Sequence, residues 1–113
     1  MTASSDLGTI LVDGKGMTLY LFTKDTQGSG KSTCEGECLA AWPPLVGEPQ
    51  AGEGTDQALL GTITRSDGTM QVTYNGWPLY YWAQDKAPGD TTGQGVNKVW
   101  WVLDANGDAI GAS

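Results

Sequence analysis

Tyr20, Phe22 and Asp25 form a short pattern, Tyr-x-aromatic-x-x-Asp, that returns as Tyr80, Trp82 and Asp85. The copies sit in LYLFTKD (Leu19 to Asp25) and in WPLYYWAQD (Trp77 to Asp85). A second echo, Leu7-Gly8-Thr9-Ile10 against Leu60-Gly61-Thr62-Ile63, extends the duplication to the strand before each motif. The offset is 53 residues at Leu-Gly-Thr-Ile but 60 at Leu-Tyr, so the second copy has gained about one strand with its turn. The expectation is two related hairpin units in one sheet system.

Seventeen Gly and five Pro, with many Thr and Asp, argue against a long helix, whereas Thr, Val, Tyr and Trp suit pleated strands. At 113 residues the chain fits one domain. The fold class expected is mostly β, with about seven short antiparallel strands and a short helical turn in a disulfide-closed loop. Residues 1–6 are expected to be a flexible leader to a single β domain over 7–113. Within it stand repeat one at 7–25, a Cys loop at 26–56, repeat two at 60–85 and a C-terminal hairpin at 98–110.

Gly8 to Asp13 (GTILVD) reads as the first strand, and Asp13-Gly14-Lys15-Gly16 has the turn chemistry to send Met17 to Lys24 back beside it. Side chains alternate along a strand, which puts Tyr20 and Phe22 on one face and Leu19 and Leu21 on the other. Both faces are apolar, as in a strand covered on both sides or one with an aromatic face open for binding. Asp25 ends the strand before TQGSGK and is placed to accept hydrogen bonds from turn N–H groups. Ser32 to Trp42 suits one or two helical turns, stopped by Pro43-Pro44. Val46 to Asp56 reads as a surface loop, and Asp56 to Leu60 as one turn capped by Asp56. Asn75-Gly76 is a type I′ turn signal that pairs strand 70–74 with strand 77–84, and Pro78, lacking an N–H, belongs near that strand's start or on an edge. After the loop at 85–97, Lys98 to Asp104 reads as a strand that turns at Ala105 to Asp108 toward Ala109-Ile110.

A net charge of −7 repels phosphate backbones and anionic head groups, so nucleic-acid binding is not expected. No apolar run approaches the roughly 20 residues that span a bilayer. The start MTASSD has neither the basic region nor the apolar core of an export signal, which is therefore expected upstream. Cys34 and Cys38 read first as an extracytoplasmic disulfide; the other reading is two reduced thiols in a cytosolic protein. Closing so short a loop contributes about 2 kcal/mol, shaping the loop more than holding the domain.

These residues resemble the bacterial secreted lipoprotein repeat of unknown function, described by a Tyr-x-(Phe/Trp/Tyr)-x-x-Asp motif. Tyr20, Phe22 and Asp25 fit its first motif and Tyr80, Trp82 and Asp85 its second. Cys34, Gly36, Cys38, Trp42, Pro43 and Pro44 look like its Cys loop and Trp-Pro-Pro, and DGTMQVTYNGWPLYYWAQD and PGDTTGQGVNKVWWV are also similar to it. The resemblance implies an exported, often lipid-anchored bacterial protein whose anchoring cysteine lies upstream of Met1. It implies no established activity.

The catalytic inventory is thin. Without His, neither a Ser-His-Asp triad nor a Cys-His nucleophile can be built. Asp25 and Asp85 are the pair a glycosidase would use, but nothing in the sequence sets their separation. No enzyme, cofactor or resident metal is therefore expected. The sequence lacks Cys-x-x-Cys-His, which excludes covalent haem. The alternative from another class is a redox or copper protein using Cys34 and Cys38, with Met17 or Met70 as a soft third ligand. Asp85, Asp90, Thr91, Gln94 and Asn97 offer oxygen ligands for Ca²⁺ without EF-hand spacing and read as a solvated acidic loop.

Aromatic residues remain. Tyr80-Tyr81-Trp82 and Trp100-Trp101 are consecutive, so neighbours point to opposite faces. Most are expected in the core, with Trp77, Tyr81, Trp100 and Trp101 as the candidate exposed surface for a glycan, a peptide or a protein partner. Short strands with open edges also permit self-association. The function expected is a non-catalytic extracytoplasmic binding or interaction module of a bacterial surface lipoprotein, its ligand not legible.

Overall fold

A computed structural model describes residues 2–5, 8–13, 16–23, 25, 37–46, 57–65, 68–87, 90–96, 99–104 and 107–110. The domain is mostly β. Its strands are β1 (Thr2–Ser5), β2 (Gly8–Leu11), β3 (Tyr20–Phe22), β4 (Leu60–Thr64), β5 (Met70–Tyr74), β6 (Trp77–Pro78) and β7 (Trp100–Val102), with a short helix α1 (Glu37–Ala41) and a 3-10 turn at Gln57–Leu59. The strand pairs β1–β2, β3–β7, β4–β5 and β5–β6 are all antiparallel.

The segment expected to be a free leader instead supplies β1, whose Thr2 to Ser5 run against Leu11 to Gly8. Its composition is polar, but a strand edge needs only backbone N–H and C=O groups. Asp56, expected as a cap, and the loop at 47–55 lie outside the described residues.

Three hairpins close with one turn geometry. Gly16 donates its N–H to Asp13, Gly68 to Arg65 and Gly107 to Asp104, at 3.1, 2.9 and 3.0 Å. These glycines have φ of 87°, 88° and 84°, the left-handed residue that ends a three-residue hairpin loop in a bulge. Asp13 and Asp104 add a side-chain bond, accepting on Oδ1 from the N–H of Met17 and of Asp108. Asn75-Gly76, with φ of 53° and 81°, makes the expected two-residue turn between β5 and β6.

The motif strands are shorter than the sequence suggests because each changes partner partway along. Leu19 donates its N–H back to Leu11 of its own hairpin, and Leu79 to Val72 of its own. One residue later the two strands meet: Tyr20 N–H donates to Tyr80 C=O at 2.8 Å and Tyr80 N–H to Tyr20 C=O at 3.0 Å. Beyond that crossing each takes a segment of the other copy's tail. Thr23 N–H reaches Val99 C=O, beside the β3–β7 pairing, while Tyr81 and Ala83 reach Pro43 and Ala41. The two copies therefore interlock about a local two-fold axis between Tyr20 and Tyr80.

Alternation then divides the core. One face gathers Ile10, Val12, Tyr20, Phe22, Trp42, Tyr80, Trp100 and Val102. The other gathers Leu11, Leu19, Leu21, Val72, Tyr74, Leu79 and Leu103. The apolar character of both faces of the motif strand thus reflects cover on both sides.

Candidate functional site: reciprocal clamps and a ring stack

Both motif tyrosines are fully buried, and a phenol out of water needs a hydrogen-bond partner. The partner comes from the other copy. Tyr20 donates its hydroxyl to Asp85 Oδ2 at 2.6 Å, and Tyr80 donates to Asp25 Oδ2 at 2.7 Å. Lengths in this range belong to charge-assisted O–H···O bonds. Beyond the turn bonds expected of Asp25 and Asp85, their carboxylates tie one copy to the other. Asp85 also does the local task, accepting on Oδ1 from the N–H and hydroxyl of Thr92.

Burial raises the Tyr20 hydroxyl far above its usual range, and the bond to Asp85 adds to the effect. Tyr81 is raised as well, again chiefly by burial and then by its bond to Asp13 Oδ2 at 2.8 Å. In the unfolded chain a tyrosine ionises near pH ~10. Above that pH the unfolded chain binds fewer protons than the folded one, so further alkali favours unfolding. Urea melts at stepped pH are expected to show stability level to about pH 10, then falling by up to about 1.4 kcal/mol per pH unit for each such tyrosine. Tyr81→Phe should remove one such contribution; an unaltered slope would count against it.

Four rings stack beside the clamps. Trp82 lies over Trp42 at 4.1 Å between centroids, Trp42 over Trp100 at 3.7 Å with planes only 2° apart, and Trp100 over Phe22 at 4.2 Å. The two-fold relation runs through the middle: Trp82 and Phe22 are equivalent motif residues, and Trp42 and Trp100 come from the two tail segments. Tyr20 sets its edge against Trp42 at 5.4 Å and Tyr80 against Trp100 at 5.1 Å, the edge-to-face geometry aromatic rings favour. Gly93 fits between the stack and the clamp. Its N–H donates to the Tyr20 hydroxyl at 3.2 Å, and a Cβ there would stand 2.8 Å from Trp42 Cη2 and 3.0 Å from Trp82 Cγ.

The motif residues Tyr20, Phe22, Asp25, Tyr80 and Asp85 are thus buried, and Trp82 is half-buried at the stack's end. Trp100, expected on an exposed surface, is only 3% exposed because β7 turns it toward Phe22 and Trp42. Trp77, Tyr81 and Trp101 are half-buried against the leucine-rich face. Cys38 packs beside the ring stack and is not a free thiol, while Cys34 lies outside the described residues.

The acidic loop is held partly by its own bonds and partly by the C-terminal segment. Asp90 accepts on Oδ2 from the N–H groups of Lys86 and Ala87, and Gln94 bridges Val102 N–H and Ile110 C=O in place of a strand. Asn97 lies outside the described residues. A buried polar pair lies outside every sequence motif: Arg65 donates to Gln71 Oε1 at 2.7 Å and Gln71 donates to Leu79 C=O at 2.8 Å. A lone Arg and Gln in a hairpin carry no sequence signal that they meet inside.

Two copies of one motif, each satisfying the other's buried phenol and each taking the other's tail as a strand, define a duplicated β-repeat domain. The chain belongs to the family of secreted repeats of unknown function, whose model matches residues 1–46 and 61–104. Each match runs past the motif Asp into the tail that pairs with the other copy. No curated protein and no solved structure is significantly similar to the chain.

Proposed function

We propose that the domain is a non-catalytic module that works outside the cytoplasm and binds a glycan, peptide or protein at the bacterial cell surface. The observation that carries this reading is the spending of the motif's own chemistry on the fold. Asp25 and Asp85, the pair a glycosidase would use, are buried against phenols. The signature residues build a scaffold, and recognition falls to rings on the opposite face. Trp77, Tyr81 and Trp101 keep part of their surface in water while packing against the leucine-rich cluster, which holds each ring in place at little further entropic cost to binding. The Cys34–Cys38 bridge belongs to the same reading, closing the loop that leads into α1. A bridged sulfur offers no thiolate to copper, so Cys38 does not favour the metal alternative.

The test is a glycan and peptide array read by binding, followed by titration of any hit with tryptophan fluorescence. Trp77→Ala or Trp101→Ala is expected to weaken binding by about 30-fold, the effect of losing a hot-spot ring, with the melting transition still cooperative. Unaltered affinity in both variants would remove this face from the reading.

A further inference from the structure

Beyond that reading, we propose that the ring stack and the two tyrosine–aspartate clamps form an internal one-electron relay, which an outer-sphere oxidant meets at Trp82 and which comes to rest as a tyrosyl radical on Tyr20 or Tyr80. Trp82 is the half-buried end of the stack, whereas Trp42 and Trp100 are 4% and 3% exposed. Taking an electron from an indole leaves a cation, and an aromatic face at van der Waals distance stabilises a cation. Trp42 and Trp100, parallel within 2° at 3.7 Å, share that charge between them.

The charge does not stay on the indoles because each central Trp touches a phenol that has somewhere to send its proton. Tyr20 meets Trp42, and Tyr80 meets Trp100. The electron passes from the phenol to the indole cation as the O–H bond breaks, and the proton bonds to Asp85 or Asp25 Oδ2, already 2.6 or 2.7 Å away. The balance is one electron gained by the oxidant, a neutral indole restored, a neutral tyrosyl radical formed and a carboxylate converted to a carboxylic acid. A returning electron reverses each step. Burial keeps the Tyr20 proton in place until the electron goes, so the two leave together. Both tyrosines are 0% exposed, which shields the radical from solutes and from coupling with a second protein.

The fold contains its own control. Tyr81 donates to Asp13 at 2.8 Å, the same pair of groups, and is more exposed, yet it packs among leucines on the other face of the sheet. Direct attack from solution favours Tyr81, whereas a relay through the rings favours Tyr20 and Tyr80.

The experiment is photo-oxidation of the full chain with photoexcited tris(bipyridine)ruthenium and a cobalt(III) ammine as electron acceptor, with rapid freezing and EPR. The wild type is expected to give a tyrosyl signal that survives in Tyr81→Phe. Tyr20→Phe/Tyr80→Phe should lose it and show a tryptophanyl radical, and Asp25→Asn/Asp85→Asn, which cannot take the proton, should do the same. Loss of the signal in Tyr81→Phe, its survival in Tyr20→Phe/Tyr80→Phe, or a wild type that shows only tryptophanyl radical would overturn the relay. Should the double variants fail to fold by near-UV circular dichroism, Trp82→Phe decides. It keeps an apolar ring at the edge, and a tyrosyl yield equal to the wild type's would overturn the proposal, whereas a several-fold fall supports it.

Discussion

Trp42→Ala is expected to lower stability by about 3–5 kcal/mol, the range for deleting a buried large aromatic ring. Trp42 is 4% exposed and lies between rings of both copies. It stacks on Trp82 and Trp100 and takes the edge of Tyr20. Removing it opens a ring-sized cavity beside a clamp, and the flat neighbours cannot collapse into it without breaking their own stacking. A domain of this size has about 5–15 kcal/mol in total, so the variant stands near the edge of folding. Urea melts give the number, and the near-UV circular dichroism of the coupled indoles should collapse with it. Trp100→Ala should match it, being the two-fold equivalent. A loss below about 1 kcal/mol in both would mean that the rings are not what holds the copies together.

What the sequence made legible was whatever depends on near neighbours. The alternation that separates Tyr20 and Phe22 from Leu19 and Leu21 follows from strand geometry alone and holds whichever strand lies alongside. Asn75-Gly76 shaped its turn because both residues accept positive φ. The partner switch was not legible, since the group that captures Tyr20 N–H is Tyr80 C=O, 60 residues away. The same distance hid the clamps. An Asp after a strand and before a Gly-rich stretch reads as a turn residue, and Asp85 does serve its own loop through Thr92. Only the fold shows that its other oxygen belongs to Tyr20. One signal was there to be used: a Trp follows each motif Asp at similar spacing, 17 residues from Asp25 to Trp42 and 15 from Asp85 to Trp100. Two equivalent rings in a two-fold domain are natural candidates to meet on the axis.

Asp85→Ala is expected to cost about 3 kcal/mol, the scale of a buried charged hydrogen bond lost with its donors left unsatisfied. Three donors lose their acceptor together: the Tyr20 hydroxyl and the N–H and hydroxyl of Thr92. Asp85→Asn should be milder. Its carbonyl can serve Thr92 while its amide faces the Tyr20 oxygen, leaving the phenol proton without an acceptor. Tyr20→Phe removes the same bond from the other side. In a double-mutant cycle, Tyr20→Phe and Asp85→Ala should couple by about 1.5–3 kcal/mol, because the phenol proton loses its acceptor without Asp85 and Oδ2 loses its donor without Tyr20. The bond from Gly93 N–H to the Tyr20 oxygen belongs to Tyr20 alone and drops out of the cycle. The two-fold relation makes a stronger demand, that Tyr80→Phe and Asp25→Ala couple by a similar amount while Tyr20→Phe and Asp25→Ala, which share no bond, simply add. Were the crossed pair Tyr20 and Asp25 to couple instead, each motif would be closing on itself, and the interlocked arrangement would not be the one the protein adopts in solution.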